Sequence, residues 1–381
     1  MPSIKMFALK IANSRFTAAG KTFSHLAGLF LVGIGLIAIT GCGGGSTAGN
    51  PPASKTGRIY VANFVANSVT VIDPVTNATT TIAVQAQPTA IVVNPTTNKA
   101  YAVHAGNNSI SVIDGATNTT ATVAVGTHPV DIAINPTTNR IYVANQLDNT
   151  VTVIDGATNA TATIGVAGKP AAIGINPTTN KVYVANFNSN NISVLDGATN
   201  SIATVAVGTG PAAIAVHPLT NKIYVVNLTG NNVTVIDGAT NSTATVAVGT
   251  SPISIGVNLT SDKIYVVNEG DNTVTVIDGA ANTTATVATG KAPFAIAVNS
   301  TTNKIYVANE SDNTVTVIDG ATNTTATIGV GGDPDAIAIN PATNKIYVAN
   351  FNTSNSTVID GATNSTATVA VGTGPIAIAL N

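Results

Sequence analysis

Charged residues make up only 8% of the 381-residue chain, which also holds four histidines and one cysteine, so each side chain able to do chemistry can be placed individually. A hard cation such as Ca²⁺ needs several oxygen ligands. Two segments offer them 41 residues apart, Glu269-Gly270-Asp271-Asn272 and Glu310-Ser311-Asp312-Asn313, although neither has the loop spacing of a known calcium motif. Asp131, Asp148, Asp333 and Asp335 add carboxylates elsewhere. Histidine suits proton transfer or metal ligation, and His104 and His128 are the candidates. Two imidazoles are not a constellation, and ordinary substitution at turn positions is the stronger reading of them. The chain lacks Cys-x-x-Cys, His-Glu-x-x-His, Gly-x-Ser-x-Gly and phosphate-loop patterns. No catalytic residue, metal centre or cofactor is therefore expected.

The elements that would position these groups follow from composition. The chain is 44% apolar and 4% aromatic, with a net charge of −2, the reverse of a disordered composition. Its commonest residues are β-branched strand formers and the turn formers Asn and Gly, so the fold is expected to be all-β. The absence of a basic surplus argues against a nucleic-acid partner, whose affinity rests on neutralised phosphates.

All eight tyrosines, Tyr60, Tyr101, Tyr142, Tyr183, Tyr224, Tyr265, Tyr306 and Tyr347, are 41 residues apart, and a periodic Asp and a periodic Pro keep the same step. One unit, opening at Pro129, reads as four strands, A (130–135), B (140–145), C (150–155) and D (161–166), separated by turns rich in Asn, Gly, Thr and Pro. Four antiparallel strands in about 40 to 45 residues is the signature of a β-propeller blade. Residues 58–381 begin at a strand B and end after a strand A, four residues short of eight periods of 41. The last strand A should complete the first blade and close a single ring, with eight blades favoured over seven.

Before the repeats, Lys5, Lys10, Arg15 and Lys21 precede an uncharged stretch from Leu26 to Ile39. Fourteen residues at about 1.5 Å each fall short of a hydrocarbon core of about 30 Å, which favours a signal peptide over a permanent span. Ile39-Thr40-Gly41-Cys42 resembles the bacterial lipobox, and Cys42 is the sole cysteine. The expected organisation is a signal peptide over 1–41, a lipidated Cys42 opening a flexible tether over 42–57, and the propeller over 58–381. Gly43 is not the Asp that resembles an inner-membrane retention signal, so outer-membrane delivery is favoured.

Ile141-Tyr142-Val143-Ala144-Asn145, followed by Thr152-Val153-Ile154-Asp155, resembles the YVTN family β-propeller repeat across all of 58–381. That resemblance implies a cell-envelope propeller that binds or displays. It also implies seven blades as the usual number, from which eight repeats depart.

Comparison among the repeats separates two faces. The A-to-B and C-to-D turns hardly change, whereas the D-to-A and B-to-C turns, on the opposite face, vary. Varied positions include Gln87, His128, Lys169 and Asp333 before the periodic Pro, and Phe64, Gln146, Phe187, Glu269, Glu310 and Phe351 at the start of the B-to-C turn. Varied loops on a rigid ring are where recognition commonly lies. With Asp131, Asp148, Asp271, Asp312 and Asp335, this face holds eight acids against Lys169 and Lys291, a field that favours cations or basic partners. On the other face, eight basic residues starting strand B should lie opposite the eight periodic Asp and form ion pairs, as Arg140 with Asp155. The expected protein is a monomeric, non-catalytic, lipid-anchored scaffold that binds a protein, glycan or cation. An enzyme with its site at the central channel and a structural surface coat are the alternatives.

Overall fold

The computed structural model describes residues 57–381; the expected signal peptide over 1–41, Cys42 and all but the last residue of the expected tether lie outside the described residues. The third repeat shows the local logic. Strands β8 (Pro129–Asn135), β9 (Arg140–Asn145), β10 (Thr150–Asp155) and β11 (Thr161–Gly165) pair antiparallel in that order. Their turns are sharp because an Asn in each takes a left-handed conformation, at Asn139, Asn149 and Asn159 with φ of 53°, 54° and 62°. Asn tolerates that region better than other non-glycine residues, which accounts for the richness of the sequence in Asn. The register places Arg140 opposite Asp155 and Thr150 opposite Asn145, as the turn length requires.

Seven further sheets have four strands each, so the fold is an eight-bladed β-propeller. In the first blade β1 (Ile59–Asn63), β2 (Ser68–Ile72) and β3 (Thr79–Ala83) are completed by β32 (Pro375–Leu380), which pairs with β1. The ring therefore closes by the expected exchange of termini. Each blade draws all its strands from within residues 57–381, so this part of the chain is able to fold alone.

The innermost strands are β4 (Pro88–Asn94), β8, β12 (Pro170–Asn176), β16 (Pro211–His217), β20 (Pro252–Asn258), β24 (Pro293–Asn299), β28 (Pro334–Asn340) and β32, each beside the next around the ring. In each of these a register shift follows the opening Pro, which has no N–H to donate to the ladder. The core lies between blades: Tyr101, Val103 and Ile110 of the second pack with Ile132, Ile141 and Val143 of the third. All eight tyrosines are fully buried there. Burial raises their phenols, to about 12 for Tyr183, Tyr265, Tyr306 and Tyr347. Strand D is the exception to this burial. As the outermost strand it is exposed except at one apolar position, as in β11 and β3.

Candidate functional site

On the constant face, the expected ion pairs are replaced by another arrangement. The register is right, yet no Lys or Arg is within ion-pair distance of the Asp opposite it among the described residues. Each Asp instead turns into its own C-to-D turn: Asp155 Oδ1 accepts from the N–H groups of Ala157 and Thr158 at 3.0 and 2.9 Å. These two bonds stabilise the ionised form and lower the Asp155 pKa, with Arg140 the smallest of the lowering influences. The basic residues reach to the following blade. Lys99 Nζ donates to the Gly156 carbonyl at 3.0 Å, Arg140 to Gly197 at 2.9 Å, Lys181 to Gly238 at 2.8 Å and Lys263 to Gly320 at 2.7 Å. Lys345 closes the belt on Pro74 at 3.0 Å. The basic residues are thus clamps between blades rather than a free cationic ring.

The varied face has its own scaffold. The residue before each periodic Pro is left-handed, including Gln87, His128, Lys169 and Asp333 with φ of 54°, 55°, 60° and 58°. At seven of the eight its N–H is held by the last Asn of the preceding blade's B-to-C turn, as Lys169 by Asn149 Oδ1 at 2.7 Å and Asp333 by Asn313 Oδ1 at 2.9 Å. Three of the sequence candidates turn out to fasten the same loop. The Asp148, Asp271 and Asp312 carboxylates accept from the N–H groups of Thr127, Thr250 and Lys291.

A second contact crosses between blades with a spacing of 23 residues. Phe187 covers Gly210 and Phe351 covers Gly374, where a Cβ would come within 3.3 and 3.1 Å of the ring. Lys169 Nζ lies 5.4 Å from the centroid of the Phe187 ring, a cation–π contact. Phe64 packs on the core of the first two blades, Gln146 is buried, Gln87 is exposed, and Glu269 is half-buried.

The same spacing in the last two blades brings acids together. Glu310, starting the B-to-C turn of the seventh blade, meets Asp333 and Asp335 of the eighth, one carboxylate oxygen from each lying within 4.8 Å of the other two. Asp333 and Asp335 are buried and Glu310 is half-buried. Asp335 is the extra residue of the bulge that opens β28, which aims it into the cluster. Such a group of oxygens suits a hard divalent cation. The sequence singled out all three residues but grouped Glu310 with Asp312, because closeness along the chain is visible there and stagger between blades is not.

The histidines do not converge. His104 is fully buried at the end of its strand B, where most blades have Asn, with Nε2 2.8 Å from Ser111 Oγ, and burial pushes it down to about 4. His128 is half-buried at the varied face, lowered first by desolvation and then by Lys169. Asp131 lies deep in the ring rather than on the varied surface, 2% exposed, and lines the central channel.

No protein-family model matches the chain, and no curated protein sequence matches it. Solved structures do. The dihydro-heme d1 dehydrogenase NirN in complex with DHE is similar with a TM-score of 0.74 and 13% identity, over 86% of this chain and 76% of that one. Apo AztD from Citrobacter koseri gives 0.68 and 14% over 85% and 97%. Hydrazine synthase from Kuenenia stuttgartiensis gives 0.59 and 20% over 72% and 95%. At these identities the likeness is one of fold, and it places the chain among the β-propellers.

Proposed function

We propose that this protein is a non-catalytic binding scaffold of the cell envelope, anchored by lipid on Cys42, whose varied face takes a hard divalent cation of the Ca²⁺ type. The observation that carries the reading is the meeting of the Glu310, Asp333 and Asp335 carboxylates across a blade junction. At two other junctions on that face the contact of the same spacing is sterically complementary, a Phe over a Gly. Here it brings like charges together, which a cation relieves. The repeat's resemblance to the YVTN family supports a binding or displaying role.

Calorimetric titration of residues 57–381 with CaCl₂ tests the site. One saturable event is expected, lost in Glu310→Gln combined with Asp335→Asn and kept in Asp312→Asn, whose carboxylate fastens a loop. Equal binding by the double variant and the unaltered protein would remove the site. For the anchor, Cys42→Ser is expected to release the protein from the membrane fraction; normal processing and fractionation of that variant would rule out lipidation.

A further inference from the structure

The inner strands enclose a channel of about 340 Å³ whose lining runs from Ala90, Asp131 and Ala377 to the A-to-B turns at Pro95, Pro136 and Pro341. Its mouth is therefore on the constant face, away from the carboxylate cluster. The volume falls in the range of roughly 300 to 1,000 Å³ typical of small-molecule sites. Its wall is aliphatic: Val93, Ile134, Val257 and Val298 are half-exposed within it. Apolar side chains left partly wet favour an apolar occupant.

Apart from Thr260, Ser300 and Thr301 at the A-to-B turns, one residue breaks this wall. The position two after the periodic Pro is Ala in six blades and Ser254 in another, but Asp131 in the third. Among the residues lining the channel Asp131 alone carries a charge. Its Oδ1 accepts from the Ile132 N–H at 2.9 Å and its Oδ2 from the Ile173 N–H of the next blade at 2.7 Å. These bonds aim the carboxylate and leave further acceptor capacity, since an ionised carboxylate offers about four lone-pair sites. No Lys, Arg or His lies within ion-pair distance of it among the described residues. Burial outweighs the two bonds and pushes its pKa up to about 7, a cost that a positive charge seated beside it would offset.

We infer that the channel is a binding site for a slender organic cation, a primary ammonium group on an unbranched alkyl chain, with Asp131 as its counter-charge and the aliphatic wall as the seat of the chain. A metal ion is the poorer fit, because one carboxylate in an apolar wall cannot supply the six to eight oxygens that a hard cation such as Ca²⁺ takes. An alkyl carboxylate would set like charges together. An alkylammonium ion satisfies both features of the channel, donating to the free acceptor positions of Asp131 while displacing water from Ile, Val and Ala side chains. This site is separate from the varied face and does not rest on the cation reading given for it.

The test uses n-hexylammonium chloride with residues 57–381, read by calorimetry and by backbone amide NMR. Saturable one-to-one binding is expected, with shifts centred on the Ile132 and Ile173 amides, tenfold or more weaker binding in Asp131→Asn, and none in Ala215→Phe, which fills the channel. Sodium hexanoate should not bind, and Glu310→Gln should leave hexylammonium binding unchanged. Absence of saturable binding, equal binding of hexanoate, or undiminished affinity in a folded Asp131→Asn protein would each overturn the assignment. If Asp131→Asn fails to fold, retained hexylammonium binding by Ala215→Phe with its native melting temperature would overturn it as well, and loss there would support it.

Discussion

At the junction of the fifth and sixth blades, both members of a repeated contact are changed together. Six other junctions join an Asn at the end of the inner strand to an Asn in the next A-to-B turn, such as Asn94 to Asn139 at 2.8 Å. Here the residues are His217 and Asp262, with Nε2 and Oδ1 3.4 Å apart. The Thr220 N–H donates to His217 Nδ1 at 3.3 Å, which leaves the proton of the neutral ring on Nε2, facing Asp262. Lys222 lies across the strand pair from His217. Burial lowers the histidine pKa more than Asp262 raises it, and Lys222 lowers it further. Since the folded value lies below the unfolded one of about 6.5, the unfolded chain binds the proton more readily. The contribution of this contact to stability is complete above that pH and is lost as pH falls through the folded value. Replacing the pair with His217→Asn and Asp262→Asn restores the contact used elsewhere and should flatten the fall in melting temperature as pH drops from 7 to 5. Coincident pH curves for the two proteins would show that His217 does not titrate in this window.

At the scale of the strand and turn, the sequence is legible where the information is local. The period of 41 places every tyrosine, and the length of the B-to-C turn is enough to set Arg140 opposite Asp155. What the register does not contain is the direction of the side chains. Asp155 has two N–H donors within three residues of its own backbone, and a carboxylate takes such bonds without ordering a long partner side chain. Arg140, deprived of that partner, reaches the Gly197 carbonyl in the next blade. The same limit governs the candidate sites. Glu310 and Asp312 are close in sequence, yet one joins the acids of the eighth blade while the other fastens Lys291 in its own. Asp131 is legible in the sequence as one of the acids assigned to the varied face. That it faces a channel open toward the constant side depends on how all eight inner strands tilt together, and no single repeat encodes it.

For the whole molecule, closure is the feature on which the rest depends. A linear array of blades would leave an exposed inner strand at one end and an incomplete sheet at the other. This chain avoids both by exchanging its ends, since β32 supplies the inner strand of a blade whose other strands open the propeller. Ile376, Ala377, Ile378 and Ala379 are all at most 5% exposed there. Ile376 and Ala377 pack into the core shared with the second blade, and Ile378 into the core shared with the eighth. The belt on the constant face crosses the same seam, from Lys345 to Pro74 and from Arg58 to Gly115. Removing residues 375–381 should therefore expose the edge of β1 and uncover two neighbouring cores at once. At roughly 1.5 to 3 kcal/mol for each buried isoleucine, and less for each alanine, the loss should be on the order of 5 kcal/mol. It should appear in calorimetry as a lower melting temperature and a broader transition, because blades no longer held on both sides can unfold from the open ends. Adding back a peptide of residues 375–381 in excess should recover part of the loss through mass action. A truncated protein melting at the same temperature and with the same width as the full propeller would show that the ring is held by its blade interfaces alone, with the exchanged strand contributing nothing to closure.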